Sequence, residues 1–202
     1  MILNIQRLEQ AMARMDAANA ADPNQEVFEG VCYPKELLYA RRMSAMLQNF
    51  VPDPSEVLQL AARCQHICRW KIPRSKYPMD TVGYNCWRIE LYKFHCEVAG
   101  EILREVGYGE SMVADVQSLL RKDRIKTNLE SQILEDVASL VFLQYYLEDF
   151  IKKFSSFEED KFMNILRKIW KKMSSEGRIA ALKLNVHAEL YDLFGKVSVS
   201  AG

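Results

Sequence analysis

From Trp87 to Val106 the apolar residues return every three or four positions: Trp87, Leu91, Phe94, Val98, Ile102 and Val106. That spacing lines one side of a helix and neither face of a strand, so it predicts a long helix from about Asp80 to Val106, stopped by Gly107 and Gly109. Ile2, Ile5, Leu8, Met12 and Met15 repeat the pattern at the start of the chain. An all-β chain needs a turn roughly every 8 to 12 residues. With 8 glycines and 6 prolines among 202 residues, this chain cannot supply them. The expected fold is an all-α helical bundle forming one domain over 1–202.

The first helix should end near Ala20, with ADPNQEVFEG as a polar connector. Pro34 suits the opening of a second helix through KELLYARRMSAMLQNF, which VPDPS breaks. A third helix opens at Asp53 or Pro54 and presents Val57, Leu60, Ala61, Cys64 and Cys68 to the core. KIPRSKYPM is a loop, and Ser111 to Lys122 a fifth, shorter helix after the long fourth. Thr127 or Asn128 caps a sixth helix reaching about Phe154, apolar on nearly every side as an innermost helix would be. Residues 156–173 form an amphipathic helix, and two short helices follow around Ala180 and Leu190.

Lys+Arg and Asp+Glu balance at 27 each, so no global basic field draws the protein to nucleic acid. No apolar run reaches the length of a membrane span, and charges interrupt the opening segment too early for a secretory signal. Cys32, Cys64, Cys68, Cys86 and Cys96 are odd in number and set in helical surroundings, which suggests reduced thiols and a cytoplasmic protein.

The candidate chemistry gathers around LAARCQHICRWKIPR at 60–74. His66 falls at the border of the third helix's apolar stripe, with Arg63 and Trp70 expected beside it, and His95 lies on or next to the buried stripe of the fourth. Each has a plain alternative as a hydrogen-bonded core histidine. Glu135 and Asp136 interrupt the most apolar helix. A buried carboxylate costs several kcal/mol unless paired, so one of them should meet Arg63, His66, Arg69, His95 or Lys122. That meeting would be either a structural ion pair or the wall of a polar pocket. Arg69, Lys71, Arg74 and Lys76, beside Trp70 and two prolines, form a stiffened basic loop suited to phosphate or carboxylate oxygens, with RKDRIK at 121–126 as a second basic turn. KKMSSEGR at 171–178 resembles the lysine-rich loop of class I aminoacyl-tRNA synthetases, without the Rossmann fold or the histidine motif that loop requires.

ELLYARRM, LAARCQHICRWKIPRSKYPM, WRIELYKFHCEVAGEILREVGY and LEDVASLVFLQYYLEDF resemble an uncharacterised conserved family, a domain of unknown function whose members are sometimes labelled glutamyl-tRNA synthetase. More distantly, the region is similar to the HD-domain phosphohydrolases, which implies an HD-like core at about 34–155 with helices at 156–195 packed on it. By that resemblance His66, His95 and Asp136 would be catalytic and would hold one divalent metal ion, or none if the arginines have replaced it. Ile67 stands where the paired aspartate of that family belongs, and ELLYARRM lacks its early histidine. Arg63, Arg69, Trp70, Arg74, Lys122 and Glu135 would hold a small anionic ligand, phosphorylated or a nucleotide. The competing expectation is a non-catalytic scaffold offering a partner helix an apolar groove built from Met43, Met46 and the amphipathic final third of the chain.

Overall fold

The computed structural model describes residues 2–123, 127–153 and 159–184. The described residues are helical apart from one hairpin, in keeping with the periodicity. They fall into two compact units, Met1–Arg124 and Ile125–Gly202.

The first unit runs α1 (Ile2–Ala20), β1 (Gln25–Phe28), β2 (Val31–Pro34), α2 (Lys35–Phe50), α3 (Glu56–Cys64), α4 (Thr81–Glu105) and α5 (Glu110–Arg121). α1 packs on α2, α3 and α4, while α5 closes against α3 and α4. Met15, Met43, Leu47, Leu58, Leu60, Ile67, Leu103 and Leu119 are fully buried there. Met46 is buried as well, so neither Met43 nor Met46 can line an exposed groove; both are core residues.

The connector at 21–30 holds a hairpin that the apolar pattern does not announce, because four-residue strands carry too little alternation. Glu29 and Gly30 both take positive φ, 51° and 77°, the two-residue turn whose twist matches antiparallel strands. Phe28 pairs with Val31 and Gln25 with Pro34.

α3 also departs from expectation. Ser55 caps it by accepting from the Leu58 amide at 3.1 Å, and it ends at Cys64 rather than running on toward Trp70. Cys68 has turned into the left-handed region, φ 53°, where a helix cannot continue. The side chain of Asn19 on α1 accepts the Cys68 amide at 2.9 Å and holds that turn in place. Two 3₁₀ turns follow, Arg69–Lys71 and Arg74–Lys76. α4 then starts under an Asp80 cap bonded to the Gly83 amide at 2.7 Å. Gly83 is required there, since a Cβ would sit 2.2 Å from the Pro78 carbonyl oxygen.

The second unit contains α6 (Leu129–Tyr145), α7 (Leu147–Lys153), α8 (Glu159–Lys172) and α9 (Ser175–Ala181). Asn128 caps α6, accepting from Glu130 and Ser131 at 2.9 and 3.3 Å. The long sixth helix expected to reach Phe154 is broken at Tyr146, whose φ of −123° interrupts the helical path. α6 packs on α7, α8 and α9. The short helix expected around Leu190, and His187 with it, lie outside the described residues.

Candidate functional site

The site in the first unit begins with a buried aspartate. Asp22 accepts from the backbone and side-chain nitrogens of Asn24 at 2.9 and 2.8 Å, and from the Glu36 amide at 3.0 Å. Pro34 gives α2 no side-chain cap, so the Asp22 carboxylate serves the open amides of its first turn. This bond ties the hairpin to α2 and sets Lys35 and Glu36 facing the 3₁₀ turns. The result is a cleft of about 610 Å³ lined by Lys35, Glu36, Arg69, Trp70, Arg74 and Trp87, with the 23–25 segment and the Ile72–Pro73 stretch completing its walls.

The aromatic floor is fixed by Trp87, whose indole N–H donates to the Ile72 carbonyl at 2.8 Å. Arg69 lies over that ring at 4.9 Å and Arg74 at 5.9 Å, contacts that keep both guanidinium groups against the wall. Arg74 also donates to the Tyr77 and Asp80 carbonyls at 3.0 and 3.2 Å, so part of its capacity goes to shaping the loop.

Behind the cations sit three titratable groups. Arg69 Nη1 reaches His66 Nε2 at 2.7 Å, closer than Nδ1 at 3.1 Å. A guanidinium only donates, and with both ring nitrogens in its reach Nη1 faces the edge of the imidazole between them. His66 Nδ1 also lies 3.6 Å from Glu36 Oε2, an electrostatic contact rather than a hydrogen bond. The His66 ring is stacked on Tyr39 at 4.1 Å. Burial, then Arg69, Lys122 and Lys35, hold the His66 pKa well below its ordinary value, so the ring is neutral. His95 is neutral too, pushed down to about 3 by burial and by His66. Its Nδ1 donates to the Ile67 carbonyl at 2.8 Å, and its Nε2 is buried with no hydrogen-bond partner among the described residues. Glu36 moves the other way. Burial raises its pKa to about 7, opposed chiefly by Arg69.

The structure therefore brings together His66, His95, Arg69, Trp70 and Arg74 of the residues singled out from sequence, and adds Glu36, Lys35 and Trp87. Glu36 escaped notice because a glutamate in the first turn of a helix reads as a favourable dipole partner. Only the fold buries it.

Arg63 is not in the cleft. Its guanidinium makes a bidentate pair with Asp16, 2.7 Å on each arm, and reaches Ser44 at 3.1 Å. Residues 65–68 leave the helical path, so the one-turn spacing of Arg63, His66 and Trp70 no longer places them side by side. Lys122 ends α5 in the left-handed conformation, φ 59°, and contributes to the field on His66. Arg121 pairs with Asp123 at 2.9 Å, and the rest of the 121–126 turn lies outside the described residues.

The acids of α6 meet other partners than those expected. Glu135 lies 3.6 Å from Lys172 of α8. Asp136 receives the Ser174 amide at 2.9 Å, the Ser174 hydroxyl at 2.6 Å and the Gln132 amide at 3.1 Å. Ser174 in turn caps α9 by accepting from Gly177 at 3.0 Å. A Cβ on Gly177 would stand 2.6 Å from the Asp136 carboxylate, so the glycine makes room for it. Asp136 is a hydrogen-bonded clamp on the α8–α9 corner.

Among the described residues no group of three His, Cys, Asp or Glu side chains is placed to hold a metal ion. The donors themselves do not fit a metal: a guanidinium donates to His66 Nε2, and the Asp136 oxygens are spent on Ser174 and Gln132. All five cysteines are free thiols. Among the described residues no helix is long and apolar enough to cross a membrane.

These features define an all-α protein with a basic, indole-lined cleft backed by the buried carboxyls of Asp22 and Glu36 and by two neutral imidazoles. The chain belongs to the family described as "Domain of unknown function (DUF4202)", which matches residues 9–194. No match was found among the curated proteins or among the solved structures.

Proposed function

We propose that the cleft of the first unit binds a small phosphorylated anion, a nucleotide or a sugar phosphate. One observation carries this reading: Lys35, Arg69 and Arg74 line a single cleft of about 610 Å³ in which Glu36 is the only acid among the described residues. Arg69 offers a planar fork already held against Trp87 and His66, so little rotamer entropy remains to be lost when an oxyanion arrives. Trp70, half-buried on the wall, supplies a face for a base or a sugar ring. The volume lies in the range of small-ligand pockets.

The likeness of the 60–74 segment to HD-domain phosphohydrolases supports a phosphorylated ligand, and phosphoester hydrolysis is the finer form of the proposal. Glu36, with its pKa near 7, is the group suited to proton transfer there.

Thermal unfolding in the presence of ATP, inorganic phosphate and glucose 6-phosphate tests the reading. Ligand at about 100 times its dissociation constant should add roughly 2.7 kcal/mol, and Arg69→Ala should abolish the shift. No stabilisation by any of the three compounds would overturn it. Phosphate release from ATP, measured alongside, separates hydrolysis from binding alone.

A further inference from the structure

Glu36 presents a difficulty for any anion entering the cleft. Glu36 lines the same cleft as Lys35 and Arg69, and its side chain is buried, so bulk water screens it poorly from a bound oxyanion. Two negative groups confined at such a place cannot both stay ionised.

We propose that Glu36 is the specificity-determining residue of the cleft: it admits an oxyanion only together with one proton, its carboxyl becoming a hydrogen-bond donor to the ligand. The inference rests on the reading of the cleft as an anion site. The proton comes from solvent and settles on Glu36, which changes from a repelling carboxylate to a neutral donor. No covalent bond is made or broken.

The surroundings leave Glu36 as the proton's destination. Asp22, from the segment before the hairpin, accepts the Glu36 amide and the amides of Asn24. Lys35 is its neighbour on α2, and Arg69 comes from the first 3₁₀ turn. His66, from the turn after α3, faces Glu36 through Nδ1, and Arg69 Nη1 occupies the edge of its ring within reach of both nitrogens. Lys122, at the end of α5, adds its charge from behind His66. His95, from α4, already gives its Nδ1 proton to Ile67. Protonating either imidazole would add a buried cation beside Arg69. Protonating Glu36 removes a buried anion. The pKa of Glu36, raised to about 7 by burial, places the exchange within reach of neutral solution.

Sulfate is the probe of choice, because it carries no titrating proton between pH 6 and 9 and any pH dependence must come from the protein. Isothermal titration of the full chain should show sulfate affinity flat below pH 7 and falling about tenfold per pH unit above it. Glu36→Gln mimics the protonated carboxyl and should bind sulfate at pH 8.5 as tightly as the wild type does at pH 6. Titrations of the wild type at pH 8 in two buffers of different ionisation enthalpy should reveal uptake of close to one proton per sulfate. This measurement stands even if the variant folds poorly. Sulfate binding that is independent of pH, or without proton uptake at pH 8, overturns the inference and leaves the anion site intact. Absence of sulfate binding at every pH overturns it too, and takes the anion-site reading with it when ATP and phosphate also fail to bind.

Discussion

Each unit buries carboxyl groups, and Asp136 in the second unit and Glu36 in the first are solved in opposite ways. Asp136 is surrounded by donors from its own unit: one backbone amide, one hydroxyl and one side-chain amide. Burial raises its pKa, and the two Ser174 bonds and the Gln132 bond pull it back. Glu36 has no such cage. Its side-chain neighbours are the long cations and the neutral imidazole edge of a cleft, and burial lifts it to about 7. A carboxylate whose hydrogen bonds are filled by the fold has structural work. One left facing the cations of a cleft wall has capacity for a ligand.

The comparison breaks most visibly at Asp136. Asp136→Ala strands three donors and should cost roughly 4 kcal/mol of stability by chemical denaturation. Anion affinity should be unchanged in the folded variant. A variant of normal stability that had lost the affinity would return Asp136 to the ligand site and end the contrast.

The next effect is the pH dependence of stability at Glu36. Its folded pKa, about 7, lies above the ordinary 4.5, so the folded state holds its proton longer than the unfolded chain does. Below pH 4.5 the two states are protonated alike and nothing is lost. As pH rises from there to 7, folding works against ionisation at about 1.4 kcal/mol per pH unit, and the total approaches about 3 kcal/mol. Glu36→Gln escapes this loss. Its stability relative to the wild type should therefore rise across that window and level off above it, as followed by urea midpoints. A flat difference would show that Glu36 is hydrogen-bonded as fully as Asp136.

The smallest effect sharpens the edge of the site. Arg63→Ala removes the part-buried pair with Asp16 and should lower stability by about 1 to 2 kcal/mol. Anion affinity should stay as it was, measured by the same sulfate titration. Loss of affinity would draw Arg63 back into the cleft.

Most of the helices were legible in the chain because a 3.6-residue stripe needs only local order to be read. α1 ends at Ala20, α4 runs from Thr81 to Glu105 and α5 from Glu110 to Arg121, all close to expectation. The hairpin was not legible, since a Glu-Gly turn between four-residue strands leaves little trace in composition. Nor was the break after Cys64: the apolar spacing continues to Cys68, while the chain passes into i→i+3 turns that finish at a left-handed Cys68 held by Asn19 from another helix. Half of the site was visible for the same reason. Arg69, Trp70 and Arg74 sit in one short loop, and loop residues close in sequence stay close in space.

What the amino-acid sequence determined by itself is the all-α character and the cluster of cations around Trp70 at 69–74, because both are set by neighbours a few positions apart. What the tertiary structure decided is which acid answers which base. Arg63 found Asp16, Glu135 found Lys172, Asp136 found Ser174, and Glu36 came to rest in the cleft. Charges of either sign are plentiful along the chain, and an ion pair is chosen by burial and reach across the fold, quantities that no local pattern records.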